Sequence, residues 1–359
     1  MTEQATEGTA RRSSPAKMAA RIVIALVLIV LIFWYLLKDI SLADVWAAIT
    51  AMTWGELVGL AVVAGWNLVT YALVWMTVTP GLGFGRAMLM TQATTAITNT
   101  VPAGSAIGIG MTYAMLGSWG FSRSRTTIAV LVSGVWNAFA KLAIPVLALA
   151  LVALQGDATA ARVTAAAFGI GGLIAAIVIF ALMLRSEHMA ERVGVIAGRI
   201  TSRLLALIRR PPVQGWEIAT VKFRNRTVDL LEHGWFPITA ATVVSHLSLY
   251  LVLLVCLRDV GVSDAEVGWA EVLAVFAFAR LATAVPITPG GAGLVEAVLI
   301  TGLTAAGGDK AQVVAAVLVY RALTWGLPVL VGVVCLLWWR RQTLTSPAEE
   351  ASSTGAARP

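Results

Sequence analysis

The chain has 359 residues, 58% of them hydrophobic and only 13% charged, with a mean hydropathy of +0.84. A soluble domain carries about 25% charged residues, so this composition excludes a nucleic-acid enzyme, a secreted scaffold and a disordered chain. It fits an all-α polytopic membrane protein, whose net charge of +7 is to be read from its placement in loops.

Taken in order, residues 1–16 are rich in small polar residues and predict a disordered tail. A spanning helix needs about 20 largely apolar residues. The first such run, 18–38, is long and lacks a small-residue cleavage site, so it predicts a retained helix rather than a signal peptide. Residues 41–53 set Leu42, Val45, Trp46 and Ile49 on one side, the pattern of an outer interfacial helix. A second span covers 55–78. Residues 85–101 are Thr-rich and run into Pro102, Ala103, Gly104 and the glycines to Gly110, before a short apolar stretch at 111–119. The span 124–154 contains Lys141 and Pro145, and 163–184 is the next.

The connection 185–234 carries nine Lys and Arg. Within it, 189–210 sets Val193, Ile196, Ile200 and Leu204 against Arg192, Arg199, Arg203 and Arg209, which suits either the anionic inner leaflet or a plain cytoplasmic connector. A span at 235–257 follows. Residues 268–287 then break at Thr288, Pro289, Gly290, Gly291, Ala292 and Gly293, ahead of a short apolar stretch at 294–305. The last span is 311–339, and 343–359 predicts a second disordered tail. Trp54, Trp235, Trp269, Trp338 and Trp339 flank spans as an aromatic belt.

Pro removes a backbone donor and Gly loosens a helix, and hydrocarbon tolerates the result only where protein or water satisfies the freed groups. Each break therefore predicts a re-entrant helical hairpin whose tip lies inside the protein. With the basic loops placed in the cytoplasm, both termini are cytoplasmic and both hairpins return to the side they left. About six spanning helices plus two broken hairpins then form an inverted repeat within one transmembrane domain, 17–342, with halves 17–154 and 155–342. Pro102 precedes Pro145 by about the distance that separates Pro289 from Pro328. Inverted repeats with discontinuous helices are a recurring transporter design.

Three cations, Lys141, Arg280 and Arg321, fall deep in apolar segments. Each costs roughly 2.5–3.5 kcal/mol at a helix centre by insertion scales, so each needs a partner or a wet cavity. Glu296, just past the second break, is the obvious carboxylate. One deep anion against three cations leaves a positive interior that a phosphate-bearing lipid complements, although a purely structural role for each cation fits as well. Half-helix starts at the breaks add exposed N–H groups. Asn99, Asn137 and His246 read as interhelical hydrogen-bond formers, and Tyr113 and Tyr320 as pocket lining or core. Cys256 and Cys335 lie in apolar runs, and His188, His233 and His246 lack ligand spacing. No catalytic constellation, metal site or cofactor site emerges.

The stretch Val285 to Glu296, with its Pro-Gly-Gly-x-Gly-x-x-Glu pattern, and the later Tyr320–Arg321 pair before Pro328 resemble the lysylphosphatidylglycerol synthase transmembrane, or flippase-like, family. Asn99 to Gly104, Tyr113 and Lys141 to Pro145 resemble its other half. The resemblance covers about residues 18–341. It implies a multi-pass protein of the bacterial cytoplasmic membrane, related to the flippase part of the multiple peptide resistance factor. A short polar stretch follows Arg341, so the synthase activity of the full-length relatives is not expected to carry over. The resemblance marks Pro289, Gly290, Gly291, Gly293, Glu296, Tyr320 and Arg321. With Arg280, Lys141, Asn99, Pro102 and Gly104 from the cation and break patterns, these are the expected lipid-binding residues. The expected function is translocation of an anionic or zwitterionic lipid. The rival expectations are a non-transporting lipid-binding partner of an envelope glycosyltransferase, or an intramembrane enzyme on a polyprenyl-linked lipid. Expected partners are membrane lipid and the anionic inner leaflet, with a second copy or an envelope-synthesis enzyme left open and no nucleic acid.

Overall fold

Helix is the way a chain this apolar satisfies its own backbone inside lipid, and every regular element among the described residues is helical. The structure, a computed structural model, describes residues 41–101, 104–154, 160–207, 215–283 and 288–355. The expected tail 1–16, the first span 18–38 and Pro102 lie outside them.

The short helix α1 (Leu42–Thr50) is capped by Ser41, buries Val45 and packs on α11 (Lys310–Arg321). Thr53 and Glu56 form a reciprocal capping box that starts α2 (Trp54–Val78). Helices α3 (Phe84–Thr100) and α4 (Gly104–Ser118) form the first hairpin, followed by α5 (Arg123–Leu154) and α6 (Ala160–Arg185). Helix α7 (Glu187–Leu207) lies against α6 and α8 (Trp216–Asp259). The second hairpin comprises α9 (Trp269–Ala282), a 3-10 turn at Pro289–Gly291 and α10 (Leu294–Ala305). Beyond α11, a π-helical turn at Ala322–Gly326 leads into α12 (Leu327–Gly355), which runs on into the stretch that composition assigns to a tail.

Among the described residues, four helices are long and apolar enough to cross a membrane: Trp54–Val78, Arg123–Val152, Gly234–Asp259 and Lys310–Thr343. The protein is therefore an all-α, multi-pass membrane protein. In the expected span 163–184, the apolar helix Ile170–Arg185 is shorter. Val62, Ile174, Leu330 and Val334 point outward, an apolar perimeter that hydrocarbon covers.

Small and polar residues hold the helices together, as lipid requires when burial of apolar surface supplies no driving force. Between α2 and α8, the buried Asn67 side chain donates to Ser248 Oγ at 2.9 Å, and the Thr70 hydroxyl, which donates to the Asn67 carbonyl of its own helix, lies 3.4 Å from Ser245 Oγ. Gly104 and Gly108, four residues apart, let α4 lie on the end of α3. A Cβ at Gly104 would meet the carbonyls of Ile97 and Thr98 at 2.6 Å, and one at Gly108 would meet Thr98 Oγ1 at 2.6 Å. In the second hairpin Gly302 of α10 faces Val275 of α9 at similarly close range. Helix α12 packs along α3, and α5 along α9. At the basic connection, Arg224 donates to the carbonyls of Leu184 and Arg185, satisfying the open C-terminal end of α6. The turn between α8 and α9 is fixed by Arg258, which donates to the carbonyls of Val262 and Val267. There the Glu266 carboxylate is held below the usual carboxylate range by hydrogen bonds from the backbone N–H and hydroxyl of Ser263.

The closest helix approach is at Gly332, where an added Cβ would collide with the Gln92 carbonyl of α3. Overpacking of this kind costs about 1–3 kcal/mol or more. Gly332→Val is expected to lower the melting temperature and monodisperse yield on fluorescence-detected size exclusion. Gly110→Ala, which enters open space, leaves both unchanged.

Candidate functional site

The two hairpins turn by different means. Helix α3 ends at Thr100, Val101 turns extended, and α4 is already helical from Gly104. The glycines from Gly104 to Gly110, expected in the break, are therefore the first turns of α4. The small size of Gly104 and Gly108 serves the α3 contact rather than an irregular loop. In the second hairpin α9 runs to Ala282, residues 284–287 of the expected segment lie outside the described residues, and Gly290, Gly291 and Gly293 take φ of 60°, 70° and 83°, a region open chiefly to glycine.

Gly290 is also where the two hairpins touch. A Cβ there would lie 2.7 Å from Trp325 Nε1 and 2.9 Å from Asn99 Oδ1. The end of α3, the second hairpin tip and the π turn thus meet at one point. Around it lies a cavity of about 260 Å³ lined by Thr94, Thr95, Thr98 and Asn99 of α3, Arg280 and Thr283 of the second hairpin, and Tyr320, Arg321, Thr324 and Trp325 of the last span. The π turn is the local device that turns Thr324 and Trp325 inward. Leu327 N–H bonds the Ala322 carbonyl, five residues back, and Pro328 has no N–H to give to Thr324.

Arg321 Nε donates to Glu296 Oε1 at 2.7 Å, with side chains only 15% and 5% exposed. Arg321 also reaches the Gly290 carbonyl at 3.4 Å. Glu296 sits in the first turn of α10, where the helix dipole favours its negative charge, while Arg321 stands where α11 passes into the π turn of the same continuous helix. Lys141 is occupied differently: its ammonium donates to Thr283 Oγ1 at 3.1 Å, and that hydroxyl donates to the Arg280 carbonyl at 2.6 Å. A cation is thereby fixed at the C-terminal end of α9. Arg280 has no carboxylate partner among the described residues, and its Nε is buried without a hydrogen bond. Glu296 Oε2 and Trp325 Nε1 are likewise buried and open.

The structure thus gathers Asn99, Arg280, Gly290, Tyr320 and Arg321 on one cavity, with Glu296 behind Arg321. Gly291 and Gly293 shape the turn that Pro289 begins. Gly104 faces α3, and Lys141 stands behind Thr283. His246 and Asn137 do not bridge helices: the His246 ring bonds the Thr242 carbonyl of its own helix, and both residues line an adjoining cavity. Tyr113 ties α4 to α5 through Thr127 at 2.7 Å. The cavity threonines, Tyr71 and Trp325 are site residues that sequence reasoning misses. The Thr-rich run of α3 is the visible sign of the threonines, and Pro328 is the sign of the π turn.

The chain matches the Lysylphosphatidylglycerol synthase TM region family over residues 22–332. It belongs to that family. Comparison with curated proteins gives no match. The family match spans both hairpins, the ion pair and the cavity.

Breaking a buried ion pair from one side costs about 3–5 kcal/mol, because the remaining charge loses its partner. Glu296→Gln is expected to lower the melting temperature and membrane abundance. Adding Arg321→Gln restores part of both, as thermal unfolding in detergent will report.

Proposed function

We propose that this protein is a lipid transporter of the bacterial cytoplasmic membrane that moves a phosphate-bearing anionic or zwitterionic lipid between leaflets. The observation that carries the reading is the cavity where both hairpin tips meet, lined by the unpartnered Arg280 and by Arg321. Arg280 lies about 16 Å along α9 from Trp269, and Arg321 about 16 Å along α11 from Lys310, at 1.5 Å per residue. That is half the depth of a hydrocarbon core of about 30 Å. A guanidinium held there is costly unless an anion completes it, and a phosphodiester fits its fork.

The same reading makes residues 17–342 one domain of two inverted halves, 17–154 and 155–342, between cytoplasmic tails 1–16 and 343–359. Its support is reciprocal packing: α3 of the first hairpin pairs with α12 of the second half, α9 of the second hairpin pairs with α5 of the first, and α2 pairs with α8. Rocking one half against the other exposes the cavity to each leaflet in turn. Family membership is consistent with lipid handling.

Reconstituted in proteoliposomes with fluorescent phospholipids, wild-type protein is expected to equilibrate label between leaflets. Arg280→Gln folds normally and slows that movement at least about tenfold, the loss of one charge-assisted contact. Movement by well-folded Arg280→Gln at the wild-type rate removes the residue from the site. For topology, with Cys256 and Cys335 replaced, Ala265→Cys and Ala305→Cys should react with an impermeant reagent on intact cells. Arg123→Cys and Glu191→Cys should stay shielded, and labelling at Arg123→Cys would overturn the inverted arrangement.

A further inference from the structure

A second chamber of about 210 Å³ adjoins the first, between α2, α5 and α8. Tyr71, Leu249 and Arg280 line both, so the Arg280 side chain stands at their junction. The chemistry of this second chamber differs from that of the first.

His246 is only 7% exposed, and its Nδ1 lies 3.0 Å from the Thr242 carbonyl. A carbonyl only accepts, so Nδ1 carries the proton, and in the uncharged ring Nε2 is left as an acceptor. That atom is buried and has no partner among the described residues. A phosphate oxygen cannot satisfy it, because it too accepts. An ammonium would, but the Arg280 guanidinium lines the same chamber and no Asp or Glu does. An uncharged donor such as a hydroxyl fits. Its own oxygen then finds a donor close by in the Asn137 amide, and the Ser245 hydroxyl lines the same chamber. The rings of Tyr71 and Trp75 supply apolar walls for the carbon skeleton between hydroxyls.

We propose that this chamber reads the headgroup, accepting an uncharged, hydroxyl-bearing group such as a glycerol or a sugar whose phosphodiester lies on Arg280, and rejecting cationic headgroups. The proposal rests on the lipid reading above and narrows it to anionic lipids. A lysylated or ethanolamine headgroup would place its ammonium in a chamber lined by the Arg280 guanidinium, with no carboxylate to receive it.

The test offers the purified full-length protein in detergent equimolar phosphatidylglycerol, phosphatidylinositol, phosphatidylethanolamine and lysylphosphatidylglycerol of matched acyl chains, with bound lipid read by native mass spectrometry. The two hydroxyl-headed lipids are expected to outcompete the two ammonium-headed ones at least about tenfold, the ordinary yield of one or two hydrogen bonds. His246→Ala, and independently Asn137→Ala on another helix, should reduce the preference for phosphatidylglycerol over phosphatidic acid by a similar factor. Equal or better binding of the ammonium-headed lipids overturns the proposal, as does a preference that survives both substitutions. Displacement of bound lipid by glycerol 3-phosphate at comparable concentration overturns the lipid part, making the ligand a soluble phosphate ester. Selective binding without movement in proteoliposomes keeps the headgroup site and overturns transport. Movement indifferent to headgroup keeps transport and overturns the headgroup site.

Discussion

Lipid cannot solvate a broken helix or a bare cation, and the architecture follows from how this chain meets that constraint. The Arg321–Glu296 pair is the centre of the solution. It joins the junction of α11 and the π turn to the N-terminal start of α10, so the two charges satisfy each other and the Glu296 carboxylate also meets the positive end of the α10 dipole. Arg321 also reaches the Gly290 carbonyl, one of the backbone groups that the second break frees. Gly290 in turn lies so close to Asn99 and Trp325 that nothing larger than hydrogen fits. The ion pair, the glycine turn and the contact between the two hairpins are therefore one mechanical unit.

What that unit leaves unsatisfied defines the site. Lys141 is absorbed through Thr283 into the end of α9, and Arg321 is absorbed by Glu296. Arg280 alone of the three has a buried nitrogen without a partner, and it stands where two cavities join. Buried polar groups are almost always paired, so an open guanidinium nitrogen beside an open histidine acceptor has a definite complement. The first wants an anion and the second wants a hydroxyl. The two demands together describe a phosphodiester with a polar, uncharged headgroup, while the exposed apolar perimeter around Val62, Leu330 and Val334 is where acyl chains belong.

Much of this is legible in the amino-acid sequence. Apolar run length locates α2, α5, α8 and the last span, because a helix that crosses hydrocarbon has no other composition open to it. The Pro-Gly-Gly turn and the partnership of Arg321 with Glu296 are legible because each residue is anomalous where it stands. The first break is shorter than its glycines suggest. Glycines that permit close packing and glycines that break a helix look alike in sequence, and Gly104 and Gly108 belong to the first kind. Lys141 and Arg280 look equivalent in sequence, since their difference lies in Thr283, a neighbour that no periodicity announces. The histidine chamber is invisible there for a similar reason: His246, Asn137 and Tyr71 come from three helices, and only packing brings them to one space.

The central claim is that Arg280 holds a lipid phosphate at the meeting point of the two hairpins. A cryo-EM map of the protein in nanodiscs made with its co-purifying phospholipids tests it most directly. The account predicts density for a phosphate within hydrogen-bond distance of the Arg280 guanidinium, with acyl chains leaving between helices toward the bilayer. A map in which Arg280 pairs with a protein carboxylate, or in which the phosphate lies away from the cavity where Gly290 meets Asn99, would contradict it.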